Sequence, residues 1–358
     1  MKVLLYFLYG SVAREYHLEL SYSILSAAKF LKEDPADVRV VFASDSANLR
    51  PDLPAEQLLF DAQTIHEWQL GGTFAYAAKQ YVLSHALDLF GVPTVLLDSD
   101  TIFHKHPKHL FERIGPGRSL MNESGSTLAD ERIWLEWEAL IKKSGGCLSG
   151  YKITPSTVMH NSGVVGVDPH DAHLMKDAIA MMQDIVKLSD VPTAEQLATS
   201  IVCSEHTVVS SCTDIIEHYW GYRRPFYHYQ MAHLFPAVLG GGMIDGRELA
   251  LPSLRKILPL KFSDRAITRL KRFQLGSDRG YRFAYLAYRS ALSCRHQDQA
   301  LANAWGATAL NALLWATEES HPAALANFSN FGPENLDLQD WMTPQLRQRW
   351  QKYWAEFA

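Results

Sequence analysis

Residues 92–103 read Val-Pro-Thr-Val-Leu-Leu-Asp-Ser-Asp-Thr-Ile-Phe, an apolar run that ends in two carboxylates one residue apart, Asp98 and Asp100. Paired hard oxygen donors suit Mn²⁺ or Mg²⁺, and such an ion spreads the charge that develops on a departing diphosphate. One aspartate at such a place could instead attack phosphorus as a nucleophile. The first chemistry also needs a basic or imidazole group that returns to the diphosphate from elsewhere in the chain. His218-Tyr-Trp-Gly221-Tyr-Arg-Arg224-Pro225-Phe226 supplies one. An imidazole can complete the shell of Mn²⁺. Gly221 would let backbone approach phosphate oxygens, and Arg224 offers them a fixed fork of donors. Taken singly, the aspartates could be solvated turn residues and His218 a structural histidine.

These residues must be carried by an α/β frame. Residues 2–9 form a short buried strand, and 16–32 carry Leu18, Tyr22, Leu25 and Ala28 at helical spacing. A second strand covers 38–45. A helix follows over 73–91, with Thr73 as its cap and Gly91 as its stop. Strands that alternate with helices predict a layered domain with a largely parallel sheet, whose ligands sit beyond the carboxyl ends of the strands. Asp98 and Asp100 fall at such an end. Residues 124–151 predict a helix with Trp134, Trp137 and Ile141 on one side, either a flap over a cleft or a surface insertion. Strand character returns around Asn161 and Gly163, and 171–188 is an amphipathic helix whose methionine stripe fits a core. From about residue 245 the texture becomes basic, aromatic and helical. The expected domains are therefore 1–245 and a mainly helical 246–358.

The chain has 358 residues, 47% hydrophobic and 20% charged, and a net charge of −5 at pH 7. This is enough for a large core, and the charge gives no reason to expect nucleic acid as a partner. No apolar run reaches the ~18 residues of a membrane span. The start, Met-Lys-Val-Leu-Leu-Tyr-Phe-Leu-Tyr-Gly, has one charge and no small-residue cleavage site, so it reads as a strand and not a secretory leader. Cys147, Cys203, Cys212 and Cys294 are scattered, which points to thiols in a reducing cytoplasm.

In chain order the residues Asp98-Ser99-Asp100, Asn161-Ser162-Gly163, Glu195-Gln196 and His218-x-x-Gly221-x-x-Arg224-Pro225 resemble the pattern of the glycogenin and bacterial lipopolysaccharide galactosyltransferase type. These are family 8-like, retaining glycosyltransferases of the GT-A fold, a Rossmann-like nucleotide-diphospho-sugar transferase domain. The resemblance extends to about residue 245, two-thirds of the chain. It implies a nucleotide-sugar donor, with UDP as the expected nucleotide, and a carbohydrate, lipid-linked or protein acceptor. It implies Mn²⁺ or Mg²⁺ held by Asp98, Asp100 and His218. Asn161 would touch the donor sugar and Gly163 would leave room for it. Gln196 would lie beside the anomeric carbon, and Glu195 would bind sugar hydroxyls or orient Gln196. Lys79 matches a basic position near the donor, although a solvated helix lysine is the alternative.

The sequence departs from the pattern in places. No aspartate follows the first strand to read a uracil ring, where the chain has Leu-Tyr9-Gly-Ser-Val-Ala-Arg-Glu-Tyr16; Tyr9 or Tyr16 is left to stack on the base. Arg224 replaces lysine, and Glu195 replaces aspartate. Two alternatives differ in kind. A haloacid-dehalogenase-like phosphatase would use Asp98 as nucleophile, but Ile102 stands where threonine or valine is usual and the motif comes late in the chain. An inactive carbohydrate-binding relative would have no need of the aspartates, His218 and Gln196. In the C-terminal region, 255–273 is locally basic, with Ser263 as a helix cap and Ala266, Leu270 and Phe273 as an apolar stripe flanked by Arg265, Arg269, Lys271 and Arg272. Such a helix either docks on the catalytic domain or meets anionic lipid at the inner face of a membrane. The aromatic run at 226–235 suits either sugar stacking or ordinary packing.

Overall fold

A computed structural model describes residues 1–131, 133–244, 251–270, 279–319 and 341–357. They form two compact units, Met1–His218 with Ala237–Leu251, and Tyr219–Pro236 with Pro252–Ala358. The boundary expected at 245–246 lies outside the described residues.

The first unit is built on strands β1 (Lys2–Leu8), β2 (Val38–Ser44), β3 (Glu56–Leu59), β4 (Thr94–Leu97), β5 (Thr101–Phe103), β6 (Arg118–Glu123), β7 (Cys147–Leu148), β8 (Tyr151–Lys152), β9 (Asn161–Val167), β10 (Val208–Ser210) and β11 (Ile216–His218). Seven of them form one sheet in the order β10-β6-β9-β4-β1-β2-β3. The pairs among β1, β2, β3 and β4 are parallel, as is β10 with β6, while β9 runs against both its neighbours, β4 and β6. β11 and β5 make a separate antiparallel ribbon.

The apolar run of β1 follows from cover on both faces. Val3 and Leu5 enter a core with helices Ala78–Phe90, His173–Leu188 and Ala194–His206, through Val82, Met175, Met182 and Leu197 among others. Leu4, Tyr6 and Leu8 point to the other face, where Leu20, Ile24 and Ala27 of helix Arg14–Glu33 meet them. The methionine stripe at 175–182 is core, as its spacing predicts. Trp137 and Leu140 of helix Trp134–Lys143 are fully buried in the first of these cores.

Two local expectations change. Thr73 is not a helix cap: its hydroxyl donates to the Leu70 carbonyl, a 3-10 turn occupies Ala75–Ala77, and the helix runs Ala78–Phe90. The stop is where it was expected, with Gly91 at φ +61°, a left-handed conformation glycine adopts without strain. Helix Arg14–Glu33 is buried without a break from His17 to Ala27, not along one stripe, so Glu19, Ser21, Ser23 and Ser26 lie inside the protein.

The second unit contains helices Arg224–Leu234, Phe262–Leu270, Arg279–Cys294, Gln299–Glu319 and Pro344–Phe357. Ser263 lies inside its helix, which begins one residue earlier. Phe226, Tyr285, Trp305, Leu310, Leu313 and Trp350 form its core, and the rings of Phe226 and Trp305 lie 4.5 Å apart. Phe226 and Tyr227, from the aromatic run at 226–235, are thus packed inside. Among the described residues beyond 251 every regular element is a helix. An α/β sheet domain and a mainly helical C-terminal part are the architecture expected from the sequence. No helix among the described residues is long and apolar enough to cross a membrane.

Candidate functional site

β4 stops at Leu97, and Asp98, Ser99 and Asp100 form the turn that leads into β5. Because β9 runs antiparallel to β4, its first residues arrive beside the exit of β4. Leu97 pairs with Val164, and the Asp98 amide donates to the Gly163 carbonyl at 2.9 Å. The β5–β11 ribbon supplies the third group by setting His218 opposite Thr101. Nε2 of His218 lies 3.1 Å from Asp100 Oδ1 and 3.8 Å from Asp98 Oδ2. One ligand atom from each of the three side chains falls within 4.8 Å of the others. His218 and Asp100 are 5% and 7% exposed and Asp98 29%, so the cluster opens on the Asp98 side. Two carboxylates and an imidazole this close are a donor set that fits Mn²⁺ or Mg²⁺.

Gly163 sits against this cluster. A Cβ built there would lie 2.2 Å from Cε1 and Nδ1 of His218. The space over Gly163 is thus filled by the imidazole. Nδ1 of the same ring lies 2.9 Å from Asn161 Oδ1, and that oxygen also accepts from the Gly163 amide at 2.9 Å.

Lys79 is no solvated helix lysine. Its Nζ is 2.7 Å from Asp98 Oδ1 and donates to the Ser162 carbonyl at 3.5 Å. Burial pulls the ammonium down, but the Asp98 and Glu195 carboxylates outweigh it, and the group is pushed up to about 12. It is a fixed positive charge at any physiological pH.

Glu195 and Gln196 open helix Ala194–His206 and meet β9 at Ser162. The Ser162 amide donates to Gln196 Oε1 at 3.1 Å, and its hydroxyl to Glu195 Oε1 at 3.1 Å. Burial pushes the Glu195 carboxyl up, against the pull of Lys79, the Gln196 amide and the Ser162 hydroxyl. Gln80, next to Lys79, donates to the Glu195 carbonyl at 2.8 Å and to Thr199 Oγ1 at 2.7 Å. Glu195 Oε2 and Gln80 Oε1 are both buried and accept no hydrogen bond. Lys79, Gln80, Ser162, Glu195 and Thr199 line a cavity of about 10 Å³, the room one water needs.

Tyr9, just past β1, donates to the Ala75 carbonyl at 2.6 Å, and burial leads the effects that push its phenol up to about 12. The backbone after it is fixed by Asp45, which accepts from the Gly10 amide at 2.6 Å. Gly221 and Arg224 belong to the second unit, where the Arg224 amide donates to the Gly221 carbonyl at 3.0 Å and begins helix Arg224–Leu234.

Glu19, Ser23 and Ser26 were not singled out from the sequence. Lying at i, i+4 and i+7 on helix Arg14–Glu33, they share one face and meet alternate residues of the chain leaving the aspartate turn. Ser99 Oγ donates to Glu19 Oε2 at 3.0 Å, Ser23 Oγ and Thr101 Oγ1 are 2.7 Å apart, and the Phe103 amide donates to Ser26 Oγ at 3.0 Å. Thr101 Oγ1 closes the turn on the Asp98 carbonyl at 2.8 Å. The signal that could have found them is a polar stripe inside a helix otherwise apolar enough to be buried.

No protein-family model and no curated protein matches the chain. Among solved structures it is similar to mouse xyloside xylosyltransferase 1 in its apo form, at 13% identity and a TM-score of 0.38, over 59% of this chain and 85% of that one. It is also similar to the apo structure of the bifunctional glycosyltransferase WbbM, at 12% identity and a TM-score of 0.34. That match covers 58% of this chain and 38% of the WbbM chain.

Proposed function

We propose that the chain is a metal-dependent glycosyltransferase of the GT-A fold, of the family 8-like type. It moves a hexose from a nucleoside-diphosphate donor, with UDP as the nucleotide, to a hydroxyl of a carbohydrate, lipid-linked or protein acceptor, with retention. One observation carries this: Asp98, Asp100 and His218, which a phosphate-binding cation would need together, converge within 4.8 Å at the carboxyl end of a central strand.

Bound there, Mn²⁺ or Mg²⁺ would neutralise charge on the diphosphate. The other roles fall to the chain's own groups. Lys79 holds the Asp98 carboxylate in place and adds positive potential on the donor side of the turn. Gln196 faces the anomeric carbon as a neutral amide, able to stabilise positive charge without competing as a base. Glu195 anchors the strand end that carries Asn161 and Ser162. Tyr9 stacks on the base, and Gly221 and Arg224 keep the donor-binding role that their motif implies. As the bond from the anomeric carbon to the diphosphate oxygen breaks, its electron pair leaves with the diphosphate. The acceptor hydroxyl then attacks the oxocarbenium-like centre from the same face and gives its proton to the departing diphosphate oxygen. Preorganised charge is the main lever in such a displacement.

The protein meets anionic membrane surface through 255–270 of the second unit. Phe262 and Leu270 are 85% and 80% exposed, and Arg265 and Arg269 are exposed beside them. Lys271, Arg272 and Phe273, which complete the stripe in sequence, lie outside the described residues.

The test is a panel of nucleotide sugars with Mn²⁺, following release of nucleoside diphosphate. Turnover with one donor, lost on Asp100→Ala and in EDTA, supports the assignment. Turnover of simple phosphate esters, or glycan binding with no donor turnover, would overturn it.

A further inference from the structure

We infer that Asn161 is a positioning residue for the metal ligand His218: it fixes which ring nitrogen carries the proton, so that Nε2 presents a lone pair to a divalent cation. The inference rests on the metal-site reading above and adds a residue to it.

Three contacts carry it. The Gly163 backbone N–H can only donate, so the Asn161 side-chain atom that faces it at 2.9 Å is the oxygen. The same oxygen faces His218 Nδ1 at 2.9 Å. An oxygen can only accept, so Nδ1 must carry a proton. With Nδ1 tied to Asn161, Nε2 is the nitrogen left to bind a cation, and it lies 3.1 Å from Asp100 Oδ1 and 3.8 Å from Asp98 Oδ2. A lone pair turned towards two carboxylates is repelled, so either a proton or a cation must lie between them, and a divalent cation takes the place of the proton. Metal-binding imidazoles are commonly held in this way, by an acceptor on the far nitrogen.

The ring cannot turn away easily. His218 is 5% exposed, and its other wall is Gly163, where even a methyl group would overlap the imidazole. Asn161 and Gly163 thus act together, one through a hydrogen bond and one through the absence of a side chain. β9 brings both to the exit of β4 because it runs antiparallel there.

The measurement is Mn²⁺ binding to the full chain with no nucleotide present, by calorimetry or by the loss of the free-ion electron paramagnetic resonance signal. Asn161→Ala should weaken Mn²⁺ by 10–100-fold, the usual effect of losing such a partner. Asn161→Asp keeps an acceptor for both N–H groups and should bind at least as tightly as the parent. A residue that acts only on the sugar would leave metal affinity unchanged in both variants, and that result would overturn the inference while Asp100→Ala still abolished binding. If instead the parent and Asp100→Ala behave alike, the metal site itself fails. Should Asn161→Ala not fold, the near-isosteric Asn161→Leu, which also lacks the acceptor, takes its place: a tenfold or greater loss of Mn²⁺ affinity supports the role, and unchanged affinity in the folded protein refutes it.

Discussion

His218 and Asp100 stand 118 positions apart in the chain and 3.1 Å apart in space, and what joins them is a ribbon of three residues on each side. So short a ribbon has little stability of its own. It is pinned at its far end by Asp214, which takes both Nη atoms of Arg113 at 2.8 and 2.9 Å and Lys105 at 3.1 Å. The Arg113 guanidinium is the first of the causes that hold the Asp214 carboxyl well below the usual range. It is pinned at its near end by Ser23 and Ser26 beneath Thr101 and Phe103. The three side chains proposed to hold the metal are therefore only as well placed as the polar contacts under the turn.

Gly163→Ala tests the wall behind the imidazole. The new methyl would start 2.2 Å from the ring, so either His218 or β9 must move. A loss of about 1–3 kcal/mol in unfolding free energy is the usual result of such overpacking. Mn²⁺ affinity should fall at least tenfold. Chemical denaturation and metal titration on the same protein check both. A folded variant with undiminished affinity would mean that the ring has another place to go.

Glu19→Ala tests the grip on the turn. Glu19 is fully buried and accepts from Ser99, the residue between the two aspartates. Removing the acceptor leaves the Ser99 hydroxyl without that partner, at a cost of about 1–3 kcal/mol. It also frees the turn, so Mn²⁺ binding should weaken although no ligand is touched. Glu19→Gln retains an acceptor for Ser99 and should fall between the variant and the parent. Equal metal affinity in all three would confine Glu19 to stability.

The contrast between these residues and the aspartates marks what the sequence can disclose. β1 and β4 announce themselves by apolar runs, and the aspartates by ending one. The resemblance to the glycosyltransferase pattern added Asn161, Glu195 and His218 as candidates. What spacing does not contain is partnership. β5 and β11 are three residues each, too short for a periodic signal, so nothing local says that His218 pairs opposite Thr101. Likewise the ion pair of Lys79 with Asp98 depends on how helix Ala78–Phe90 lies against the sheet. Thr73 was misplaced because a hydroxyl before a helical pattern caps only if the backbone turns there, and here a 3-10 turn intervenes.

The exposed face of helix Phe262–Leu270 gives a prediction for the second unit. Placing Phe262 and Leu270 in a lipid interface would gain about 1.5–3 kcal/mol for each side chain if fully buried, and basic neighbours add about 1 kcal/mol each near an anionic surface. Phe262→Ser combined with Leu270→Ser should lower sedimentation with phosphatidylglycerol vesicles by tenfold or more and leave donor turnover in solution unchanged. Binding of the parent should also weaken as salt rises. Equal sedimentation of parent and variant would remove this helix from the membrane contact.

Glu195 supplies the pH dependence. Its side chain is buried, and burial raises its carboxyl above the ordinary 4.5, with Lys79 and the Ser162 hydroxyl only partly offsetting the rise. The sign follows from proton counting. Between 4.5 and the raised native value the folded protein binds more protons at this site than the unfolded chain, so stability falls as pH climbs through that window and stays lower above it. Glu195→Gln has no proton to lose there and nearly the same shape. Its unfolding free energy should therefore gain on the parent's as pH rises from 4.5 to neutrality, by about 1.4 kcal/mol for each pH unit of the native rise. Denaturant midpoints of both proteins across this range provide the check. An advantage that does not change with pH would mean that the carboxylate ionises in the fold without cost.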